Sequence, residues 1–138
     1  MSYENPWYYR GEILDSDQIE PYVGFVYLIE DTVNLKSYVG KKFFWSTKTR
    51  SVKGKKKKVK CESDWKKYYG SNKTLQELTK TQSIDTFKRT VLHLCFTKTQ
   101  CTYYEMEEQV KRDVLFSESY YNEFIGVKIN GKHLKRLY

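Results

Sequence analysis

Apolar and polar positions form two β-like runs early in the chain. Residues 23–30 and 36–44 are rich in Val, Ile, Tyr and Phe, and the polar EDTVNLK between them suits a hairpin connection, so the pair predicts two antiparallel strands. The period then changes. SDWKKYYGSN breaks at Gly70, and Ser71 or Asn72 is placed to cap a helix over roughly 72–81 whose Leu75 and Leu78 share a face. IDTFKRTVLHLCF returns to β-forming residues and predicts a third strand with Phe87, Val91 and Phe96 among its apolar positions, although alternation is imperfect around LHLCF. In TYYEMEEQVKRDVLF, Tyr103, Met106, Val110 and Val114 recur at three- and four-residue spacing, which predicts a helix whose apolar stripe buries against the sheet. The order strand, strand, helix, strand, helix gives an α+β class: a small central antiparallel sheet flanked by helices.

The flanks divide the chain into an N-terminal arm at residues 1–22, a domain at 23–125 and a basic tail at 126–138. The arm carries Trp7, Tyr8 and Tyr9 ahead of DSDQIEP, where Ser16 or Asp17 caps a short turn ended by Pro21, and the tail holds an Asn130-Gly131 hairpin signal. A chain of 138 residues suffices for one domain with a single core. No apolar run approaches the roughly 20 residues of a membrane span, and the polar, aromatic N-terminus is unlike a cleavable signal, so a cytoplasmic protein with no membrane partner is expected. The three cysteines fit neither an even disulfide set nor a zinc pattern.

Charge changes the picture more than composition does. The net charge is +8, and the window 41–60 holds ten of the 25 Lys/Arg and no acid, leaving 15 bases against 17 acids elsewhere. Such concentration marks a footprint for a polyanion. The basic insertion, about 46–62, is expected as an exposed loop or a β-ribbon that orders on its partner, with Lys42, Lys53, Lys55, Lys56, Lys57 and Lys58 as phosphate contacts.

The tyrosines narrow the chemistry. FVY at 25–27, ten intervening residues and YVG at 38–40 followed by Lys41 resemble the signature of the GIY-YIG nucleases. Arg50, a glutamate-bearing helix and Asn122 in YYN follow in the family's order. GFVYLI, SDWKxYYGS and YxExxxQ are similar to segments of its compact phage-encoded members. Phe25 and Val39 replace a glycine and an isoleucine of the signature, positions whose side chains supply no chemistry. Arg50 lies further from Gly40 than in many relatives, and Lys48 is an alternative to it.

The resemblance implies a metal-dependent endonuclease hydrolysing DNA phosphodiesters, of a homing-type or DNA-attacking kind working in a host cytoplasm. A structure-selective repair or junction nuclease of the same fold is the nearest alternative, and a noncatalytic nucleic-acid-binding module the more distant one. The reaction needs an activated water, relief of phosphate charge and a stabilised leaving oxygen. By resemblance Glu105, selected by YxExxxQ over Glu107 and Glu108, holds Mg²⁺ (or Mn²⁺), a cation that prefers oxygen ligands and needs no His/Cys cage. Arg50 neutralises the scissile phosphate, and Tyr27 or Tyr38, its phenol pKa lowered by nearby cations, orients or activates the water with help from Lys41. Asn122 braces the site. Gly40 permits close backbone approach to phosphate, and Tyr69 and Ser71 contact the phosphate next to the cut. Trp65 is read as core and His93 as an ordinary strand residue. Duplex DNA is the expected partner, and a homodimer is allowed.

Overall fold

The computed structural model describes residues 3–126. It contains the strands β1 (Trp7–Tyr9), β2 (Glu12–Ile13), β3 (Gly24–Asp31), β4 (Lys36–Phe43), β5 (Trp45–Val52), β6 (Lys55–Glu62) and β7 (Phe87–Cys95), with helices α1 (Lys73–Thr81) and α2 (Lys98–Lys111). Five strands form the central sheet in the order β2-β1-β7-β3-β4, and β5 and β6 form a separate two-stranded ribbon. The β7-β3-β4 centre is antiparallel as expected. The sheet as a whole is mixed, because β1 runs parallel to β7 in the register Trp7↔Arg89, Tyr8↔Thr90, Tyr9↔Val91. Thus part of the segment read as an arm is a strand of the sheet.

The pleat of β3 sorts its side chains onto two faces. Phe25, Tyr27 and Ile29 join Trp7, Phe44, Trp65, Leu75, Phe87 and Val91 in the larger core, whereas Val26 joins Val39, Cys95, Cys101 and Val114 in the smaller one under α2. The larger core is dense in rings: Phe25 stacks on Phe44 at 4.9 Å and Trp65 meets Phe44 edge-on at 5.2 Å. Fully burying each such side chain stabilises the fold by about 1.5–3 kcal/mol. The broken alternation at LHLCF has a local cause. Val26 pairs with His93 while Tyr27 pairs with Val91, so Leu92 is an extra residue, and this β-bulge reverses the faces of the strand beyond it. Phe87 and Val91 point to the larger core before the bulge, whereas beyond it Leu94 does so and Cys95 lies in the smaller one. Phe96 falls beyond the strand, is exposed, and lies 5.0 Å from the ring of Tyr22.

Arg89 is nailed through the larger core. Its guanidinium, 1% exposed, donates to the carbonyls of Tyr68 (2.9 Å), Lys66 (2.8 Å) and Asn5, and lies between the rings of Trp7 and Tyr69 at 4.6 and 4.3 Å. It thereby joins the N-terminal segment and the residues after the ribbon to β7.

Helix α1 starts where its cap dictates, with Asn72 accepting from the Leu75 N–H. Helix α2 differs from expectation in start and in buried face. Thr97 caps it, accepting from the Gln100 N–H, and it ends at Lys111, before Val114. Tyr103 and Val110 of the expected stripe are exposed, and the residues it buries are Cys101, Glu108 and Gln109. The packed face is polar because the sheet offers it hydrogen-bonding groups: the Val39 carbonyl takes a bond from Gln109 Nε2 at 3.1 Å, and Glu108 Oε2 lies 2.9 Å from His93 Nε2. The basic insertion is a ribbon, exposed from Ser46 to Lys58. The expected hairpin at Asn130-Gly131 lies outside the described residues. No helix among the described residues is long and apolar enough to cross a membrane.

Candidate active site

The site forms along β4, the last strand of the sheet, whose outer backbone groups face no further strand. Two stretches close that edge, residues 119–122 and helix α2. The Ser37 N–H donates to the Ser119 carbonyl and the Ser37 carbonyl accepts from the Tyr121 N–H, both at 2.8 Å. Asn122 then imitates a strand with its side chain, Oδ1 accepting from the Val39 N–H at 3.1 Å and Nδ2 donating to the Val39 carbonyl at 2.8 Å. At the next outward position the Lys41 N–H faces the carboxylate of Glu105 and favours its ionised form. Tyr121 is fixed in turn by Asp31, whose Oδ2 accepts from its hydroxyl at 2.6 Å.

Glu105 reaches this edge from α2 with its side chain 13% exposed. Burial pushes its pKa up, partly offset by the Lys41 charge and by the backbone N–H. The nearest ammonium, Lys41 Nζ, stands 3.9 Å from Oε1 and instead donates to Thr102 Oγ1 at 2.9 Å. The carboxylate is thus enclosed but weakly neutralised.

On the other face, Tyr27 and Tyr38 meet with ring centroids 6.2 Å apart, and Tyr68 closes on Tyr27 edge-on at 5.9 Å. Gly40, directly opposite Tyr27 in the hairpin, makes room for the phenol. A Cβ on Gly40 would overlap the Tyr27 hydroxyl and lie 2.6 Å from Cζ and 3.0 Å from Tyr38 Cε2. In this structure the glycine accommodates a phenol, a different need from the phosphate approach argued from sequence. Tyr38 shares a 3.1 Å hydrogen bond with Ser71 at the mouth of a pocket of about 220 Å³ lined also by Asn72, Lys73, Glu123 and Phe124. Burial raises the pKa of both phenols, and the Glu105 charge adds to the effect in each; Tyr27, 1% exposed, is held well above the usual phenol range. Without a bound cation the phenols are therefore neutral, whereas the sequence reading expects a lowered pKa.

The structure accordingly brings together Tyr27, Tyr38, Gly40, Lys41, Ser71, Glu105 and Asn122. Lys42 lies beside them, its Nζ 4.2 Å from the Tyr68 ring centroid and 2.7 Å from Asp64 Oδ1. Arg50 stands apart on β5, paired with Lys57 in the ribbon, with Lys48 two residues closer to the base. Five residues of strand separate Arg50 from Trp45, about 17 Å of chain. Lys53 and Lys55 to Lys58 occupy the ribbon's tip and second strand. Tyr69 points away from the phenols, its hydroxyl taking a 3.0 Å bond from Asn5 Nδ2. Its neighbour Tyr68, which sequence reasoning missed, meets the Tyr27 ring edge-on; the extended backbone there sends adjacent side chains in opposite directions. Trp65 is fully buried.

A second acidic group lies under α2, where ligand atoms of His93, Glu107 and Glu108 come within 4.8 Å of one another. Glu108 is already matched there by His93 and by Arg112 Nε at 3.0 Å. Burial opposes its ionisation, but hydrogen bonds from these two partners outweigh it and lower the pKa. This arrangement is an ion-pair network.

The family model described as "Putative endonuclease segE, GIY-YIG domain" matches residues 7–125. The chain belongs to this family of endonuclease domains, which act on phosphodiester bonds. The curated proteins and the solved structures give no match.

Proposed function

We propose that the chain is a divalent-metal-dependent endonuclease that hydrolyses DNA phosphodiesters, of the homing-type or DNA-attacking kind. The observation that carries this reading is the placement of Glu105, half-enclosed and weakly neutralised, at a strand edge beside the phenols of Tyr27 and Tyr38. The residues fit a hard cation. The donors are a carboxylate and phenol or hydroxyl oxygens, the set that Mg²⁺ or Mn²⁺ selects, and Gln109 Oε1 is a buried oxygen with no hydrogen-bond partner among the described residues. Glu105 would hold the ion, which supplies Lewis acidity toward a phosphate oxygen when bound.

The chain's own groups divide the remaining work. Tyr38, more exposed than Tyr27 and bonded to Ser71, orients the attacking water through its hydroxyl. Tyr27, buried between Gly40 and Tyr68, fixes the Tyr38 ring. Lys41, its Nζ 3.9 Å from Glu105 Oε1, favours the ionised form of that carboxylate. Lys42, on the tyrosine face, supplies positive charge for the scissile phosphate, and Arg50 adds a cation from the ribbon. Asn122 positions the edge of β4 without touching substrate.

The test is plasmid digestion with Mg²⁺ or Mn²⁺, compared with EDTA, for the wild type, Glu105→Gln and Glu107→Gln. Cleavage by the wild type and Glu107→Gln, none by Glu105→Gln, and unchanged DNA binding in EDTA by all three are expected. Activity in EDTA or in Glu105→Gln overturns the assignment. Binding with no cleavage under any condition would make the chain a noncatalytic module.

A further inference from the structure

The register of β5 with β6 decides what the ribbon fits. Directly paired residues of an antiparallel ribbon share a face. One face therefore carries Lys48, Arg50, Lys57 and Lys55, and the other carries Lys60, Lys58 and Lys56 opposite Thr47, Thr49 and Ser51. Lys60 is engaged at the base, 4.2 Å from the Trp45 ring centroid and 3.8 Å from Glu20. The other cations have no acid between Ser46 and Cys61 to answer them, and Glu62 at the far end of β6 already accepts from Ser16 Oγ at 2.9 Å and Trp65 Nε1 at 3.1 Å.

Arg50 lies directly opposite Lys57, an arrangement that opposes pairing. A ribbon resting flat on one anionic surface needs cations on only one face. Charge on both faces fits an element flanked by negative charge on both sides, which in duplex DNA means a groove walled by two phosphate strands. Width selects between the grooves. A ribbon with side chains on both faces is about 10 Å thick, whereas the major groove is about 12 Å wide and the minor about 6 Å. Eight residues per strand give a length of about 25 Å, and the exposed Lys53-Gly54 turn is free to lead.

We propose that the β5–β6 ribbon inserts into the major groove of duplex DNA with its two faces toward opposite phosphate backbones. This rests on the reading that the chain acts on DNA, and it adds duplex form, groove and orientation to that reading.

Two variants of equal charge separate the faces: Lys55→Gln with Lys57→Gln on one, and Lys56→Gln with Lys58→Gln on the other. Binding to a fluorescent duplex is measured by anisotropy in EDTA over a salt series. Both variants should lower the salt slope by up to about 1.8, at about 0.9 per phosphate contact. Dimethyl sulfate footprinting of the wild-type complex should protect guanine N7, in the major groove, and leave adenine N3, in the minor groove, reactive. A slope change in only one variant means flat docking and overturns the proposal. So does no change in either, protection of adenine N3 instead of guanine N7, or an equal slope and affinity on single-stranded DNA. Because no metal is present, the outcome is separable from the nuclease reading: a protein that passes these tests yet never cuts refutes the reaction and keeps the ribbon's role.

Discussion

Asp31 offers a quantitative test of how the segment carrying Asn122 is held. At the end of β3 and 2% exposed, its carboxylate accepts from the Tyr121 hydroxyl at 2.6 Å, from Gln82 Nε2 and Asn34 Nδ2 at 2.8 Å, and from the N–H groups of Val33 and Asn34 at 3.0 and 3.1 Å. Burial alone would raise its pKa, but the hydrogen bonds from Tyr121, Asn34 and Gln82 outweigh it and lower the value from 3.8 to about 2. A depressed carboxylate pKa contributes stability that is complete above the unfolded value and is lost as pH falls through the folded one. At about 1.36 kcal/mol per pH unit the shift corresponds to about 2.5 kcal/mol at neutral pH, falling below about 1 kcal/mol by about pH 2.5. Asp31→Asn should therefore be about 2–3 kcal/mol less stable than the wild type in urea unfolding at pH 7, and the gap should narrow steadily below about pH 4. Comparing the two proteins at each pH cancels the titration of other carboxylates. A gap equally large at pH 7 and pH 2.5 would refute the charge-based account and leave only a packing difference.

Tyr38→Phe should slow cleavage by about 10² to 10⁴ with little change in DNA affinity, the range for a group that acts directly on the attacking water; a rate within a few fold of wild type returns Tyr38 to an ordinary strand aromatic. Gly40→Ala should lower stability by about 1–3 kcal/mol in thermal or urea unfolding, because the new methyl overlaps the Tyr27 phenol. Removing that hydroxyl with Tyr27→Phe should recover more than about 0.5 kcal/mol of the loss, and strictly additive effects would show that the two residues do not compete for the same space.

The hairpin of β3 and β4 was legible because its signal is local: β-branched and aromatic runs around a short polar turn. The start of α1 was legible for the same reason, since Asn72 acts within one turn of itself. Strand β1 was not, because three residues carry little pattern and their partner in β7 lies some eighty positions away. The α2 stripe misled because apolar periodicity presumes an apolar counter-surface. Here the helix meets an open strand edge and a histidine, so Glu105, Glu108 and Gln109 turn inward while Tyr103 and Val110 face out. In the site, the spacing of the two tyrosine motifs identified residues that do converge on one strand pair. The choice of Tyr69 over Tyr68 hinged on a side-chain direction that sequence does not set, and the position of Arg50 depended on whether the insertion folds back or projects. Lys42 was legible as a cation but not as a neighbour of Tyr68, which follows from the pleat of β4.

The closure of β4 reaches beyond chemistry. An unpaired strand edge is the usual starting point for chains to add to one another and grow into aggregates. Here Ser119, Tyr121, Asn122 and Gln109 occupy the hydrogen-bonding positions that a second molecule's strand would need, and the Glu105 carboxylate stands over the Lys41 N–H. The opposite edge, β2, is only two residues long. Edge-to-edge growth of the central sheet is therefore blocked at one end and given little purchase at the other. The groups proposed to serve the reaction thus also guard the edge of the central sheet.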